Sequence, residues 1–320
     1  MLYQLSYTPA GWTAPLSEGG GEHKNVCAAA RAKQVSLAKM RAEPATVVAM
    51  HAPNPVLIPP DVLLLAYRSG VFPMSDARDD GEVFWVEPRQ RAVLPLDGFH
   101  CSRSLAKVLR ADRYRVTLDA DFGAVIDACA APRPGHPETW ISHRIEASYR
   151  NLFRHGHAHS VECWRDGPQG EELVGGLYGV AFDRVFCGES MFSRADNASK
   201  VALAWLVAVL RRAGFSVLDC QFVTGHLASL GAVEISRDRY LEMLADAART
   251  GPRMSLREAY VSFAGAAGSG VATGAGEGAA EGDAVGAARR GADSPSSPSP
   301  DFTASSSPGK AIAQSLTHTS

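Results

Sequence analysis

The chain has 320 residues, 46% hydrophobic and 21% charged, values that suit a globular core in one large or two modest domains. A net charge of -2 gives no global positive field to recruit nucleic acid, so any polyanion must use a local patch. No apolar run approaches the roughly 18 residues of a bilayer span, and Met1-Leu2-Tyr3-Gln4 lacks the basic and apolar regions of a secretory signal.

Residues 1–55 are Ala-rich and weakly basic and end in Pro53, Pro55, Pro59 and Pro60, which reads as a mobile extension. The spacing of Leu63, Leu64 and Tyr67 predicts a helix from Asp61 to Gly70. Strands are expected at 84–86 and 92–94, a helix over 102–110 and a strand over 114–118, then helices over 122–130 and 142–155. Strands follow at 160–165, 173–182 and 184–187. A long apolar helix over 197–212 has Gly214 placed for a left-handed C-cap. A strand at 215–222 and a helix from Arg237 to Ala248, capped by Ser236, complete the folded part. Residues 263–320 are Gly, Ala, Ser and Pro with few large apolar side chains, a composition expected to stay disordered. The six cysteines are scattered without a C-x-x-C pair, as in a reducing cytosol.

The segment from Arg184 to Phe222 reads as a βαβ unit whose two strands are parallel and open on one sheet edge, where ligands bind in open α/β sheets. Gly188-Glu189-Ser190-Met191 leaves the first strand and Asp219-Cys220-Gln221 ends the second. Asp219 and Gln221 share a strand face with the apolar Val217 and Phe215, a costly position unless each is hydrogen-bonded. Alone, the pair reads as capping for neighbouring loops. With Glu189 converging on them, it reads as a site.

Several blocks are similar to the leucyl/phenylalanyl-tRNA–protein transferases. They are Ala66–Pro73, Trp85 with Arg91–Leu94, Ser102–Ser104, Thr139–Ile141, His155–Glu162, Val174–Val180, Phe186–Ser193, Asn197–Lys200, Asp219–Gln221 and His226–Ala232. The resemblance spans roughly residues 60–245. It implies an α/β (α+β) chain with a small N-terminal domain over 56–118 and a larger acetyltransferase-like (GNAT) domain over 119–262. It also implies transfer of Leu or Phe, with some Met, from charged tRNA to proteins that begin with Arg or Lys, feeding N-degron degradation. The expected partners are Leu-tRNA, Phe-tRNA and those acceptor proteins, with no membrane, DNA, metal or cofactor, in a cytoplasmic monomer.

By the same resemblance Asp219 orients Gln221, Gln221 positions the attacking amine, and Glu189 attracts the amine or relays its proton. Gly188, Met191, Leu177, Leu206, Leu210 and Leu218 map onto the aminoacyl side-chain pocket; each of the apolar five also reads as plain core. Trp85 and Trp140 are candidates to stack on the tRNA 3′-adenosine, although the family's second aromatic after Trp85 is here Val86. Arg89, Arg91, Arg103, Lys107 and Arg110 form a basic run that suits the tRNA backbone or a solvated helix face.

Other patterns carry less. His155, His157, His159 and Glu162 lack the defined ligand set of a closed metal site, and Cys187 and Cys220 lack a paired histidine. Gly175, Gly176 and Gly179 read as permitting close approach in a bent strand. A rival activity is acyl-CoA-dependent N-acetylation, which wants a pyrophosphate loop ahead of Asn197 that the sequence lacks. A non-catalytic tRNA-binding module would have no use for Glu189, Asp219 and Gln221 together.

Overall fold

Local capping chemistry sets most of the helix starts. In the computed structural model, which describes residues 57–132, 138–265 and 307–317, Pro60 begins helix α1 (Pro60–Arg68), where its missing N–H costs nothing. Two short strands follow, β1 (Phe72–Met74) and β2 (Phe84–Val86), and then β3 (Gln90–Val93). Ser102 accepts from the Leu105 amide to start α2 (Arg103–Arg110), and β4 (Arg115–Leu118) comes next. Asp121 caps α3 (Phe122–Ala130) and Ser142 caps α4 (His143–Arg154) in the same way.

Three long strands, β5 (Ala158–Gly167), β6 (Gly170–Phe182) and β7 (Val185–Ser193), lead into α5 (Ala198–Ala213). Gly214 ends α5 with φ +81°, as the sequence predicts. Then come β8 (Val217–Gln221), α6 (Gly225–Ser229), β9 (Val233–Ser236) and α7 (Arg237–Ala248). Ser255 and Glu258 form a capping box on α8 (Leu256–Ala264), and α9 (Pro308–Thr317) is the last element. The segment 188–193, expected as a loop, instead continues β7, because it stays paired with β6 as far as Gly175–Ser193. β1, α6, β9 and α8 had no sequence expectation; most are too short to show a period.

β1 and β2 form a small antiparallel sheet. A seven-stranded mixed sheet has the order β4-β5-β6-β7-β8-β3-β9. It is antiparallel except for β7 and β8, which run parallel and are joined by α5 as the βαβ reading requires. β3 and β4, expected within the small N-terminal domain, therefore belong to the large sheet.

One apolar layer packs α5 against the sheet, and every residue of α5 from Val201 to Leu210 is buried. The opposite layer is built from α1, α3, α4 and α7 around Tyr67, Tyr149, Tyr178 and Tyr240. Fully burying one such side chain is worth about 1.5–3 kcal/mol, so the two layers dominate the fold's stability.

The expectation of disorder over 263–320 fails at α9. Ile312, Ala313 and Leu316 are buried against α2, α5 and α8, which gives this small-residue segment enough apolar surface to offset its ordering. Residues 1–55 and 266–306 lie outside the described residues. Among the described residues, no helix is long and apolar enough to cross a membrane.

Candidate active site

β7 and β8 run side by side with Cys187 opposite Asp219. Two residues further along each strand, Glu189 and Gln221 come abreast, and Gln221 Nε2 donates to Glu189 Oε1 at 3.1 Å. Both side chains are fully buried, as is Asp219. The backbone N–H of Gln221 donates to Asp219 Oδ1 at 2.8 Å. That bond holds Gln221 at φ +57°, a left-handed conformation that a long side chain adopts only when its surroundings impose it.

Asp219 is itself fixed from two sides. Arg91 donates from Nε to Oδ1 at 2.8 Å and from Nη2 to Oδ2 at 2.5 Å, and Tyr240 Oη donates to Oδ2 at 2.9 Å. The Arg91 guanidinium also lies over the rings of Phe72 and Tyr240, at 4.7 and 4.6 Å from their centroids. Burial works against the Arg91 charge, but Asp219 outweighs it and holds the guanidinium protonated. Removing one partner of such a buried pair typically costs about 3–5 kcal/mol, because the other is left uncompensated.

Glu189 accepts from Tyr149 Oη at 3.2 Å, and Tyr149 forms a short hydrogen bond with Tyr67. Burial pushes the Glu189 carboxyl up to about 8; the Tyr67 and Tyr149 hydroxyls oppose the shift and the Asp219 charge adds to it. Both phenols are held above their usual range, by burial first and then by Glu189. The cluster leaves one group unused: Gln221 Oε1 is out of contact with solvent and has no hydrogen-bond partner among the described residues. A buried acceptor left unmade costs roughly 1–3 kcal/mol, so an arriving donor gains there.

A β-bulge separates this cluster from the apolar candidates. Gly188 faces Gly179 and Ser190 faces Tyr178, so Glu189 is the inserted residue. A Cβ on Gly179 would lie 2.3 Å from the Cys187 carbonyl oxygen, so only glycine admits the bulge. Beyond it the strand changes phase and Met191 turns to the α5 face. There Leu177, Met191, Leu206, Leu210 and Leu218 meet in one layer, each at most 1% exposed. The structure thus brings these five together, but across the sheet from the side chains of Asp219 and Gln221. Gly188 lies at the bulge itself.

The nucleic-acid candidates divide. Trp85 on β2 is 38% exposed, whereas Trp140 is 7% exposed and packed into the core beside Ile141, so it offers no ring face to a base in this form. Arg103, Lys107 and Arg110 sit on one face of α2 at helical spacing and are exposed, as is Arg89. Arg91 is not a phosphate contact: at 1% exposure it is committed to Asp219 and to the Gly70 carbonyl.

Sequence reasoning missed Arg91, Tyr67, Tyr149 and Tyr240 as members of the cluster. Arg91 and Tyr67 do lie within family-like blocks, and that is the signal by which they could be found. Tyr149 and Tyr240 sit on amphipathic helices, where spacing does not separate them from ordinary core. The remaining patterns resolve as scaffold. Glu162 is buried and accepts from Ser160 and Thr117, both at 2.5 Å, and from the backbone of Ala120 and Asp121, while His159 bonds Asp119 at 2.8 Å. Burial pushes the Cys187 and Cys220 thiols well up, which makes them poor nucleophiles.

Comparison with known proteins agrees with the resemblance. The family model described as leucyl/phenylalanyl-tRNA protein transferase matches residues 93–245, and the model of that family's N-terminal domain matches residues 58–89. A leucyl/phenylalanyl-tRNA–protein transferase of Novosphingobium aromaticivorans is 59% identical over 273 residues, covering 83% of this chain and 98% of its own. Transferases of the same name are similar at 60% identity in Rhizorhabdus wittichii and 58% in Zymomonas mobilis. These cover 58% and 60% of this chain and 74% and 70% of their own lengths. Among solved structures, L-PGS from Bacillus licheniformis aligns at 12% identity over 53% of this chain and 55% of its own. Its TM-score of 0.30 is too low to carry an argument.

Proposed function

The chain belongs to the leucyl/phenylalanyl-tRNA–protein transferase family, and from that membership we propose that it moves Leu or Phe from charged tRNA to the α-amino group of acceptor proteins that begin with Arg or Lys. The observation that carries the mechanism is the orphaned Oε1 of Gln221. The donor ester is already activated, so catalysis needs alignment of a neutral amine and stabilisation of developing charge. Gln221 Oε1 accepts a hydrogen bond from that amine. Its Nε2 is held by Glu189 and its backbone by Asp219, so the acceptor cannot swing away. An amide is too weak a base to keep the proton, which passes to the departing ribose hydroxyl as the ester bond breaks and the peptide bond forms. Glu189, which burial keeps protonated at neutral pH, holds Gln221 in place and relays the proton.

Leu and Phe are selected by the apolar layer of Leu177, Met191, Leu206, Leu210 and Leu218, which lies across the sheet from Asp219 and Gln221 beside the bulge at Gly188, with the flexible Met191 yielding to either shape. Trp85 stacks on the terminal adenosine, and Arg89 with the α2 cations contacts the tRNA backbone. The large sheet, with its antiparallel run and a single parallel pair joined by α5, supports an acetyltransferase-like fold for the catalytic part over 119–262. Residues 56–118 carry α1 and the small β1–β2 sheet and lend β3 and β4 to the large sheet. We place the enzyme in the cytoplasm as a monomer that feeds N-degron degradation.

The test is single-turnover transfer of radiolabelled Leu from charged tRNA to a protein with N-terminal Arg, alongside one with N-terminal Ala. Label is expected on the Arg protein alone. Gln221→Ala should slow transfer by roughly 10²-fold or more. Gln221→Glu should also fail, because a carboxyl beside the Asp219 charge replaces the amide and loses the Nε2 donor to Glu189. Undiminished transfer in both variants would sink the role given to Gln221.

A further inference from the structure

The carboxyl ends of β7 and β8 hold the proposed transfer site; the amino end of β8 borders a separate open cleft of about 620 Å³. Three arginines line it: Arg184 just before β7, Arg211 in the last turn of α5, and Arg253 between α7 and α8. Its apolar wall includes Leu94, Phe215 and Met243. The one acid on the lining is Asp97, whose side chain is 84% exposed at the rim with Oδ1 3.4 Å from Arg211 Nε.

The guanidiniums are only partly used. Arg184 donates from Nη2 to the Asp246 carbonyl at 3.3 Å, but its Nε is out of contact with solvent and has no partner among the described residues. Arg253 lies across Gly214, where an added Cβ would meet its Cγ at 2.8 Å, and it has no ion-pair partner among the described residues. Arg211 spends Nη1 on the Ser315 carbonyl at 2.9 Å. The carbonyl end of α5 points here too, but its last carbonyls already accept from Gly214, Phe215 and Arg253, which blunts its negative pole.

We propose that this cleft binds a phosphate group. Three planar, permanently charged donors facing one rim carboxylate make an excess of positive charge, and the guanidinium fork matches phosphate oxygens. Arg184 commits only Nη2, which leaves its guanidinium with further donors for an anion. Val217 at the cleft and Gln221 at the transfer site are separated by roughly 13 Å along β8, at about 3.3 Å per residue. Two sources share the chemistry: a backbone phosphodiester of a nucleic acid whose end occupies the transfer site, or the phosphate of a free small molecule. The first rests on the reading under Proposed function; phosphate binding itself does not.

The full-length chain is titrated calorimetrically with inorganic pyrophosphate, in wild type and in Arg253→Gln and Arg184→Gln. Arg211 is left alone because it also holds α9. Saturable binding is expected, weakened about tenfold by either substitution, the loss of one charge-assisted hydrogen bond. Uncharged tRNA is then added. Displacement of pyrophosphate assigns the site to nucleic-acid backbone, and retention assigns it to a free phosphate compound; both support the cleft. No pyrophosphate binding, or binding that both substitutions leave untouched, overturns the proposal. Circular dichroism of the variants separates loss of binding from loss of fold. Because no charged tRNA or acceptor protein enters the titration, its failure is distinct from failure of Leu transfer.

Discussion

At Gln221 one residue combines a left-handed backbone, two engaged hydrogen-bonding groups and one orphaned acceptor. Strain of this kind persists where neighbours over-determine the geometry, and Asp219 with its Arg91 and Tyr240 partners does so here. Glu189 shows the cost in another form. Its folded carboxyl titrates near 8, whereas an unfolded glutamate titrates near 4.3. Between those values the folded state holds a proton that the unfolded state has lost. The stabilising preference is complete below about pH 4.3 and is lost as pH rises through about 8. Glu189→Gln removes this dependence. The Tm of wild type should therefore fall relative to the variant from pH 5 to pH 8.5, and parallel Tm curves across that range would show that Glu189 is not held protonated.

Single elements are placed by glycines that admit no substitute. Gly179 lets β7 bulge at Glu189, and the change of phase puts the acid with Asp219 and Gln221 while sending Met191 to α5. Gly309 does the same for α9. A Cβ there would lie 2.0 Å from the Leu109 carbonyl oxygen at the end of α2, and the Gly309 amide donates to Asp112 Oδ1 at 2.7 Å. Gly309→Ala should lift α9 from its groove and expose Ile312 and Leu316, at a cost of about 2–4 kcal/mol and a Tm lower by about 5–10 °C. Hydrogen exchange over residues 308–317 reads the event directly; unchanged protection would mean that the close approach does not hold the helix. The small-residue composition around α9 hides it in the sequence, since a ten-residue helix of such residues carries little period of its own.

Over the whole molecule, charge is local. With a net charge of -2, attraction to a polyanion depends on patches, and α2 presents Arg103, Lys107 and Arg110 on one exposed face. Replacing all three with Ala should flatten the dependence of tRNA affinity on salt by about 0.7–0.9 log units per log unit for each phosphate no longer neutralised. An unchanged slope, measured by filter binding from about 50 to 300 mM salt, would remove α2 from the phosphate-facing surface. Arg91 belongs to no such patch. It sits one strand over from β8, where it neutralises Asp219.

The sequence by itself determined the parallel βαβ unit, the convergence of Glu189, Asp219 and Gln221 on one sheet edge, and the family blocks around them. These follow from strand period, capping residues and short-range order, which a linear reading can follow. Tertiary structure alone decided that Arg91, Tyr67, Tyr149 and Tyr240 complete the cluster, and that the five apolar candidates lie across the sheet from it. It also decided that Trp140 is buried and that α9 docks. Arg91 meets Asp219 across 128 positions of chain and Tyr67 meets Tyr149 across 82. Such contacts are set by which strands become neighbours and by a one-residue bulge, and neither leaves a local period in the sequence.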